Sequence, residues 1–389
     1  MTARGLHTLK AGVGLGVSLL VSHDAALAAQ WSVQPGVQVR ALAETNARLV
    51  PAGHPGNIDA QAIAAAADLT LQRSTELATL ELMAGASQRR YEQDAALDRL
   101  DADVGAILRG SRERWSWQAR TNAARDTTLT SEAGTSGLTD SEQRHETAGG
   151  SFTLSWSASE RLALNLGAAV QFDFYPGQQA ALVDYRYRSA QLGGSYQLSP
   201  RSTLAVTASH GELAASGTTH ESRDSAVLVQ YEVRPAERFS LTLSAGPSRV
   251  EGAQSREHGA SYSAALSRGG ERLTTTLSAG RRIAPTGRGY LTRRDDATLR
   301  FTLRLRERLS VNAGAAYIRS KDVLAGLGLR LNSARYRSAS AGMDWQIAER
   351  WSLAFSGGHV DQITNATGQH ASGFNAQLGV SWRGGAHVW

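Results

Sequence analysis

The chain has 389 residues with 41 basic and 35 acidic side chains, a formal charge of +6 at neutral pH and no cysteine, which excludes disulfide bonds and thiolate metal sites. All basic residues except Lys10 and Lys321 are arginines, whose planar guanidinium suits carboxylates, phosphates and sugars. The mean hydropathy is −0.30, and after the N-terminus no run approaches the roughly eighteen consecutive apolar residues of a transmembrane helix.

The N-terminus has the pattern of an export signal. Two basic residues precede a short apolar core at 11–21, and a small-residue A-x-A motif ends at Ala28. The core is too short to cross about 30 Å of hydrocarbon as a helix. The sequence therefore predicts a cleaved signal peptide over 1–28, followed by an exported domain over 29–389.

Strands are predicted almost throughout the exported domain, because apolar residues recur at every second position. The first strand is an opening stretch at 31–45. In 162–174 one face is apolar and the other is small or polar, and in 299–317 two such strands flank a tight charged turn. The last strand is 373–384. This is the side-chain period of a β-strand and not of a helix.

Eight short polar connections of related sequence recur along the chain. They lie at 73–77, 111–115, 159–164, 199–204, 235–241, 269–275, 306–311 and 348–353. Longer, more variable polar connections alternate with them, as in outer-membrane barrels with short periplasmic turns and longer extracellular loops. Eight turns join sixteen strands, and the opening and closing stretches make eighteen. Sixteen would follow if the opening stretch lay outside the wall, and part of 323–348 is compatible with either a loop or an extra strand.

The predicted fold is all-β: a transmembrane antiparallel up-and-down β-barrel of about 18 strands, with 16 as the alternative. A soluble β-sandwich or β-propeller would bury the apolar faces instead. Sandwich strands average about 5–6 residues, which is shorter than these segments, and no four-strand repeat indicates propeller blades. A closed ladder leaves no unpaired backbone group in lipid.

Aromatic residues favour an apolar face that meets lipid. Those near the short turns would form a periplasmic girdle, and tyrosines nearer the long loops would form an external one. The first set is Trp115, Trp117, Trp156, Phe239, Trp351 and Trp382. The second set is Tyr185, Tyr187, Tyr262 and Tyr317.

The opposite face is polar, carries both signs of charge and is predicted to line a lumen. A barrel of about eighteen strands is too wide for its side chains to fill, so the lumen holds water unless a loop plugs it. The candidate pore-lining residues are Arg40, Glu44, Arg109, Arg120, Asp173, Arg186, Arg188, Glu232, Arg300, Arg304 and Asp344. A change of phase near Ser189 predicts a β-bulge in the strand 182–199. Arginines among carboxylates and amides suit the passage of polar or anionic solutes.

No pattern in the chain indicates catalysis. The histidines are scattered without metal-ligand spacing, and no G-x-S-x-G motif occurs. Basic residues do not cluster with aromatics, which argues against nucleic acid as a partner. We therefore expect no enzymatic activity, cofactor or metal.

The opening strand resembles that of a known family. The stretch "WSVQPGVQVRALAETNARL" at 31–49 and the double-tryptophan strand "RWSWQAR" at 114–120 are similar to outer-membrane β-barrel porins that accompany exopolysaccharide export operons. Of that family's typical strand ending, Thr45 and Asn46 are present. At the other end of the chain, Trp389 is out of phase with Trp382, which leaves the register of the last strand open.

The resemblance implies a cell outer-membrane channel that takes part in exopolysaccharide secretion. Its partners would be outer-membrane lipid, a polysaccharide or other polar or anionic solute, and periplasmic export components. Two alternatives stay open. One is a general or solute-specific uptake porin, and the other is a structural or adhesive barrel with a closed lumen.

Overall fold

A computed structural model describes residues 29–128, 143–177, 182–217, 221–252, 256–323, 333–364 and 368–388. The predicted signal peptide, Trp389 and residues 324–332 of the ambiguous stretch 323–348 lie outside these ranges. The strands are β1 (Gln30–Glu44), β2 (Ala60–Ser74), β3 (Ala78–Tyr91), β4 (Arg99–Arg112), β5 (Trp115–Thr127), β6 (Arg144–Ser157), β7 (Leu162–Phe174), β8 (Tyr185–Ser199), β9 (Ser202–Ala215), β10 (Ser222–Ala236), β11 (Phe239–Glu251), β12 (Arg256–Gly269), β13 (Leu273–Pro285), β14 (Leu291–Arg306), β15 (Leu309–Asp322), β16 (Ser333–Ala348), β17 (Trp351–Thr364), β18 (Gln369–Arg383) and the two-residue β19 (His387–Val388).

The eighteen long strands form a closed antiparallel barrel. Each pairs with its neighbours in sequence, and β1 closes the ring by pairing with β18 from Gly36↔Arg383 to Glu44↔Asn375. The opening strand is therefore part of the wall, and the predicted eighteen-stranded all-β barrel is confirmed. The ladder also fixes the register of the last strand, because Trp382 lies opposite Val37.

Connections alternate in length as predicted. At one end, short turns follow every even-numbered strand from β2 to β16. Four of them carry a one-residue irregularity in the ladder, for example between Arg304 and Arg306. The long connections lie at the other end, and one of them contains a short 3-10 helix, Ala95–Leu97. These two ends are called the turn end and the loop end below.

One face of the barrel wall is an apolar belt. Its leucines, valines and aromatics stay exposed in the isolated chain; Leu192 is 63% exposed and Phe374 62%. A continuous exposed apolar surface of this kind requires lipid or another apolar partner to cover it. At the turn end of the belt, Trp115 stacks on Trp156 with ring centroids 5.7 Å apart. Among the described residues, no helix combines the length and the apolar character needed to cross a membrane.

The predicted bulge near Ser189 is wrong. Strands β7 and β8 pair without interruption from Leu162↔Tyr196 to Asp173↔Tyr185. The alternation of apolar and polar residues shifts there because the apolar belt ends, and the pairing of the strands stays regular. Beyond the belt, charged residues are tolerated on either face. Tyr185 and Tyr187 consequently lie on the face opposite to the apolar belt and do not belong to an external girdle.

Candidate functional site

The inside of the barrel is identified by contacts between strands that are not neighbours. Arg99 on β4 and Tyr336 on β16 line one pocket with residues 44–47, although five strands separate β4 from β16 around the wall. Such side chains meet only across the lumen, so this face is inward. Directly paired residues point to the same side of a sheet, and the register therefore extends the assignment to all strands.

Nine of the eleven candidate pore-lining residues lie on the inward face. They are Arg40, Glu44, Arg109, Arg120, Asp173, Glu232, Arg300, Arg304 and Asp344. The ladder thus brings together, on one surface, charges that are up to 304 positions apart in the chain, from Arg40 to Asp344.

The prediction that Arg186 and Arg188 line the pore is wrong, because both side chains point outward. Arg188 lies opposite Val170 and Arg186 lies opposite Phe172, both on the outward face of β7. On its other side Arg188 binds Glu212, with Nη2 3.0 Å from Oε2. The inward assignment depended on the bulge that the structure does not contain.

Inward arginines are concentrated on two walls that face each other. Strand β5 and strand β14 are nine positions apart in a ring of eighteen strands, so they are diametrically opposed. The first wall, from β1 to β5, carries Arg40, Arg89, Arg99, Arg109 and Arg120. The second wall, β13 and β14, carries Arg282, Arg294, Arg300 and Arg304.

Carboxylates compensate part of the positive charge on both walls, and on the second wall Arg294 Nε is 3.4 Å from Asp296 Oδ1. On the first wall Arg89 Nη1 is 3.3 Å from Glu44 Oε1, and Arg109 Nη2 is 3.9 Å from Glu81 Oε2. Four inward arginines of these walls form no ion pair within the part of the chain that the structure describes. They are Arg40 and Arg120 on the first wall, and Arg300 and Arg304 on the second. Arg300 and Arg304 therefore present uncompensated positive charge to the lumen.

The wall between the two arginine groups consists mostly of small side chains and carries few basic ones. From β6 to β12, the inward positions are mostly serine, threonine, glycine and alanine, and Arg234 beside a short turn is the one inward arginine among the described residues there. Hydroxyls on adjacent strands bond to each other, as Ser244 Oγ does with Ser263 Oγ at 2.7 Å. Solutes thus meet hydroxyls along this side and arginines at either edge.

A segment after β1 narrows the lumen at the loop end. Asn46 is 6% exposed, and its side-chain Nδ2 donates hydrogen bonds to the carbonyls of Val50, at 2.8 Å, and Ser372, at 2.9 Å. These bonds hold residues 46–49 against inward side chains such as Tyr336 and Val360. The positive φ of 50° at Asn46 is a conformation that asparagine adopts readily.

A second constriction is made by the loop-end part of the β13–β14 hairpin, residues 282–294, which we call the inward tip. Strand β13 stays paired with β12 only as far as Tyr262↔Arg281, while its pairing with β14 continues to Pro285↔Leu291. The tip has therefore separated from the wall on one side. It lies over the inward face of β8 to β12.

Apolar packing and backbone bonds hold the inward tip in place. Leu291 is fully buried in a cluster with Leu213 of β9 and Val250 of β11, which are inward residues of strands that do not adjoin β14. The amide of Val183 donates to the carbonyl of Gly287 at 2.8 Å. Burial of one leucine contributes roughly 2 kcal/mol to stability. Leu291 acts together with the other contacts of the cluster and with the backbone hydrogen bond to hold the tip.

A buried histidine links three strands next to the tip. His145 Nδ1 is 2.9 Å from Asp126 Oδ1, and Nε2 is 2.9 Å from Asp173 Oδ1. Arg144 and Glu146, its outward neighbours, are ion-paired, which places His145 beyond the apolar belt. Burial lowers the pKa of His145, but the hydrogen bonds to the two carboxylates outweigh that effect and raise it to about 9. The histidine is therefore a cation at neutral pH.

Sequence patterns did not indicate the constrictions or the histidine. Strand periodicity identifies which face a residue is on, but not which strand ends bend across the lumen. One signal was present for the tip: Arg281–Arg282 and Arg293–Arg294 flank the apolar residues Ile283, Ala284 and Leu291, which would not be needed in a fully solvated loop.

Comparisons with known proteins found similar barrels but no sequence family. No family model matches the chain, and no curated protein matches it. OccK2 (OpdF) from Pseudomonas aeruginosa has 14% identity and a TM-score of 0.47, with 91% of this chain and 97% of that chain covered. OccAB4 from Acinetobacter baumannii has 11% identity and a TM-score of 0.48, covering 92% and 98%. OpdK from Pseudomonas aeruginosa, an outer membrane protein, has 12% identity and a TM-score of 0.47, covering 92% and 99%.

Proposed function

We propose that the protein is an outer-membrane diffusion channel for small polar solutes, with a preference for anions. The single observation that carries this proposal is the pair of opposed arginine walls inside a closed barrel with an apolar exterior. A wide barrel with a polar interior holds water. Charges lining such a lumen raise the local concentration of oppositely charged solutes.

The distribution of charge supports a preference for anions along one path. Carboxylates neutralise part of the first arginine wall, as the Arg89–Glu44 and Arg109–Glu81 pairs illustrate. Arg300 and Arg304 have no carboxylate partner among the described residues. Because Arg300 and Arg304 share one strand, an anionic solute meets two unpaired arginines there, with hydroxyls of the neighbouring wall available for its polar groups.

Export through the predicted signal peptide at 1–28 and insertion of 29–389 into the outer membrane belong to the same proposal. The even number of strands supports it, because both ends of the wall then lie at the turn end. That end would be periplasmic, with the long connections outside the cell.

Exopolysaccharide secretion, the first interpretation of the sequence, gains no support from the lumen. A long polymer would have to pass both residues 46–49 and the inward tip at the loop end. The uptake-porin alternative agrees better with a lumen narrowed in this way. The export hypothesis can be tested separately, by deleting the gene and measuring surface polysaccharide and small-solute permeability in the same cells.

The channel proposal is tested by swelling of liposomes that contain the purified protein. Three solutes of similar size and different charge are compared: glucuronate, glucose and glucosamine. We expect glucuronate to enter fastest. Equal rates for all three would overturn the anion preference. No swelling with any solute, together with no conductance in planar bilayers, would overturn the channel itself and favour a structural barrel.

A further inference from the structure

The outward face of the wall changes character near the loop end. Within a few residues of that end, outward basic side chains occur on β3, β5, β6, β8, β10 to β13, β15 and β16. At the turn end, outward basic side chains within the strands are limited, among the described residues, to β2, β4, β12 and β14. The rim of the apolar belt at the loop end is therefore basic.

Part of this basic rim is neutralised by carboxylates on the same face. Glu212 accepts Arg188 at 3.0 Å and lies 3.5 Å from Arg223 Nε. Arg281 holds Asp295 by two bonds, one of them from Nη2 at 3.0 Å. The charges of these side chains are therefore compensated within the wall.

Outward arginines without an ion pair occur singly on β3, β5 and β8, but four such cations lie together on β15 and β16. We call this group the basic patch: Arg319, Lys321, Arg335 and Arg337. Arg319 lies directly opposite Arg335 in the ladder, an arrangement of like charges that destabilises a sheet unless something lies between them. None of the four forms an ion pair within the described ranges.

The acidic residues nearest the basic patch are already engaged. Asp295 is the register partner of Arg319 on β14 but is bound by Arg281. Asp361 is the register partner of Arg337 on β17 but is bound by His370. In addition, Nε of Arg335 is buried and has no hydrogen-bond partner. The patch therefore carries positive charge and hydrogen-bond donors for which the described residues supply no partner.

The basic patch faces away from the lumen. Its inward neighbours Ile318 and Ser320 are buried, at 4% and 2% exposure, while Arg319, Lys321 and Arg337 are exposed. Below the patch, the outward face continues with Tyr317 on β15 and with alanines, a methionine and a tryptophan on β16. The patch thus lies at the upper edge of the apolar belt, at the depth of lipid headgroups.

We propose that the basic patch binds the phosphorylated headgroup of a glycolipid in the outer leaflet. Arginine forms two parallel hydrogen bonds to phosphate, and basic clusters at a membrane edge bind anionic headgroups. A phosphate between Arg319 and Arg335 would also relieve their mutual repulsion. This inference rests on the proposed placement of the barrel in the outer membrane.

The test compares lipid binding by two variants of the purified barrel in neutral detergent. The patch variant is R319Q/K321Q/R335Q/R337Q, and the matched control is R188Q/R223Q, which removes outward arginines that already have a carboxylate. The probes are bisphosphorylated lipid A and the same glycolipid without its phosphates, with binding followed by native mass spectrometry. We expect the wild type and the control to prefer the phosphorylated form. The patch variant should bind that form at least about tenfold more weakly than the wild type.

Equal binding by the patch variant and the wild type, or equal binding of the two glycolipids by the wild type, would overturn the proposal. The double variant R319Q/R337Q serves if the quadruple variant does not fold, with an intermediate loss expected. Planar-bilayer conductance is measured on the same preparations. If the wild type binds lipid through the patch but does not conduct ions, the proposal of a channel is wrong and the proposal of a lipid site is still supported.

Discussion

His145 and Asp173 join strands β6 and β7 through a hydrogen bond of 2.9 Å inside the loop end of the barrel, and both side chains are about 5% exposed or less. The other ring nitrogen is bound to Asp126 of β5. Both ring nitrogens can donate to carboxylates only when the imidazole is protonated. The link across three strands therefore depends on the charge of one histidine.

This arrangement predicts that the barrel loses stability at alkaline pH. The folded pKa of His145, about 9, lies above the ordinary value of 6.5, so its stabilisation is complete below pH 6.5 and is lost as pH rises through 9. The loss is on the order of 3 kcal/mol. Urea midpoints in detergent between pH 6 and pH 10 should fall for the wild type and change much less for His145→Gln. Parallel curves for the two proteins would contradict the assignment.

Ion selectivity depends on Arg300 and Arg304 if they line the lumen. R300E/R304E replaces two positive charges by two negative ones on the β14 wall, so the reversal potential in a salt gradient should shift toward cations. R186E/R188E makes the same change of charge on the outward face and should leave selectivity as in the wild type. A shift in the control, or none in the R300E/R304E variant, would mean that the inward and outward faces are interchanged.

The apolar belt can be tested by two lysines at adjacent positions of β8. Leu192 is outward and 63% exposed, and Gln191 is inward. Leu192→Lys places a charge in lipid and should cost about 2–4 kcal/mol near the bilayer midplane, whereas Gln191→Lys meets water. We expect only Leu192→Lys to fold poorly into vesicles, as followed by the heat-dependent shift of the barrel on gels. Equal folding of the two variants would argue against lipid at this face.

The strand count, the alternating connections and most face assignments follow from the sequence because strand periodicity is local. In each of the strands 162–174 and 299–306, the alternation of apolar and polar residues alone identifies the side that faces lipid. The same logic failed at Arg186 and Arg188, because outside the apolar belt the pattern no longer distinguishes the two faces. A ladder register, which depends on the neighbouring strand, was needed to place them.

The apolar residues of the inward tip were a weak signal in the sequence, but the positions of the constrictions depend on contacts across the lumen. Nothing in the local pattern of 282–294 states that β13 leaves β12 after Arg281, or that Leu291 reaches Leu213. The basic patch is hidden for a related reason. Its lack of partners becomes apparent only when Asp295 and Asp361 are found bound to other residues.

The inward tip should limit conductance through the packing of Leu291. Truncation of a fully buried leucine to alanine costs about 2–5 kcal/mol, and here the cost falls on the attachment of the tip to β9 and β11. Leu291→Ala should therefore give a channel with larger or more fluctuating single-channel conductance than the wild type, since the tip can leave the lumen. Leu303→Ala, on the outward face of the same strand and 38% exposed, removes the same atoms without touching the tip. Identical conductance traces for Leu291→Ala and Leu303→Ala would show that the tip does not obstruct the path of ions.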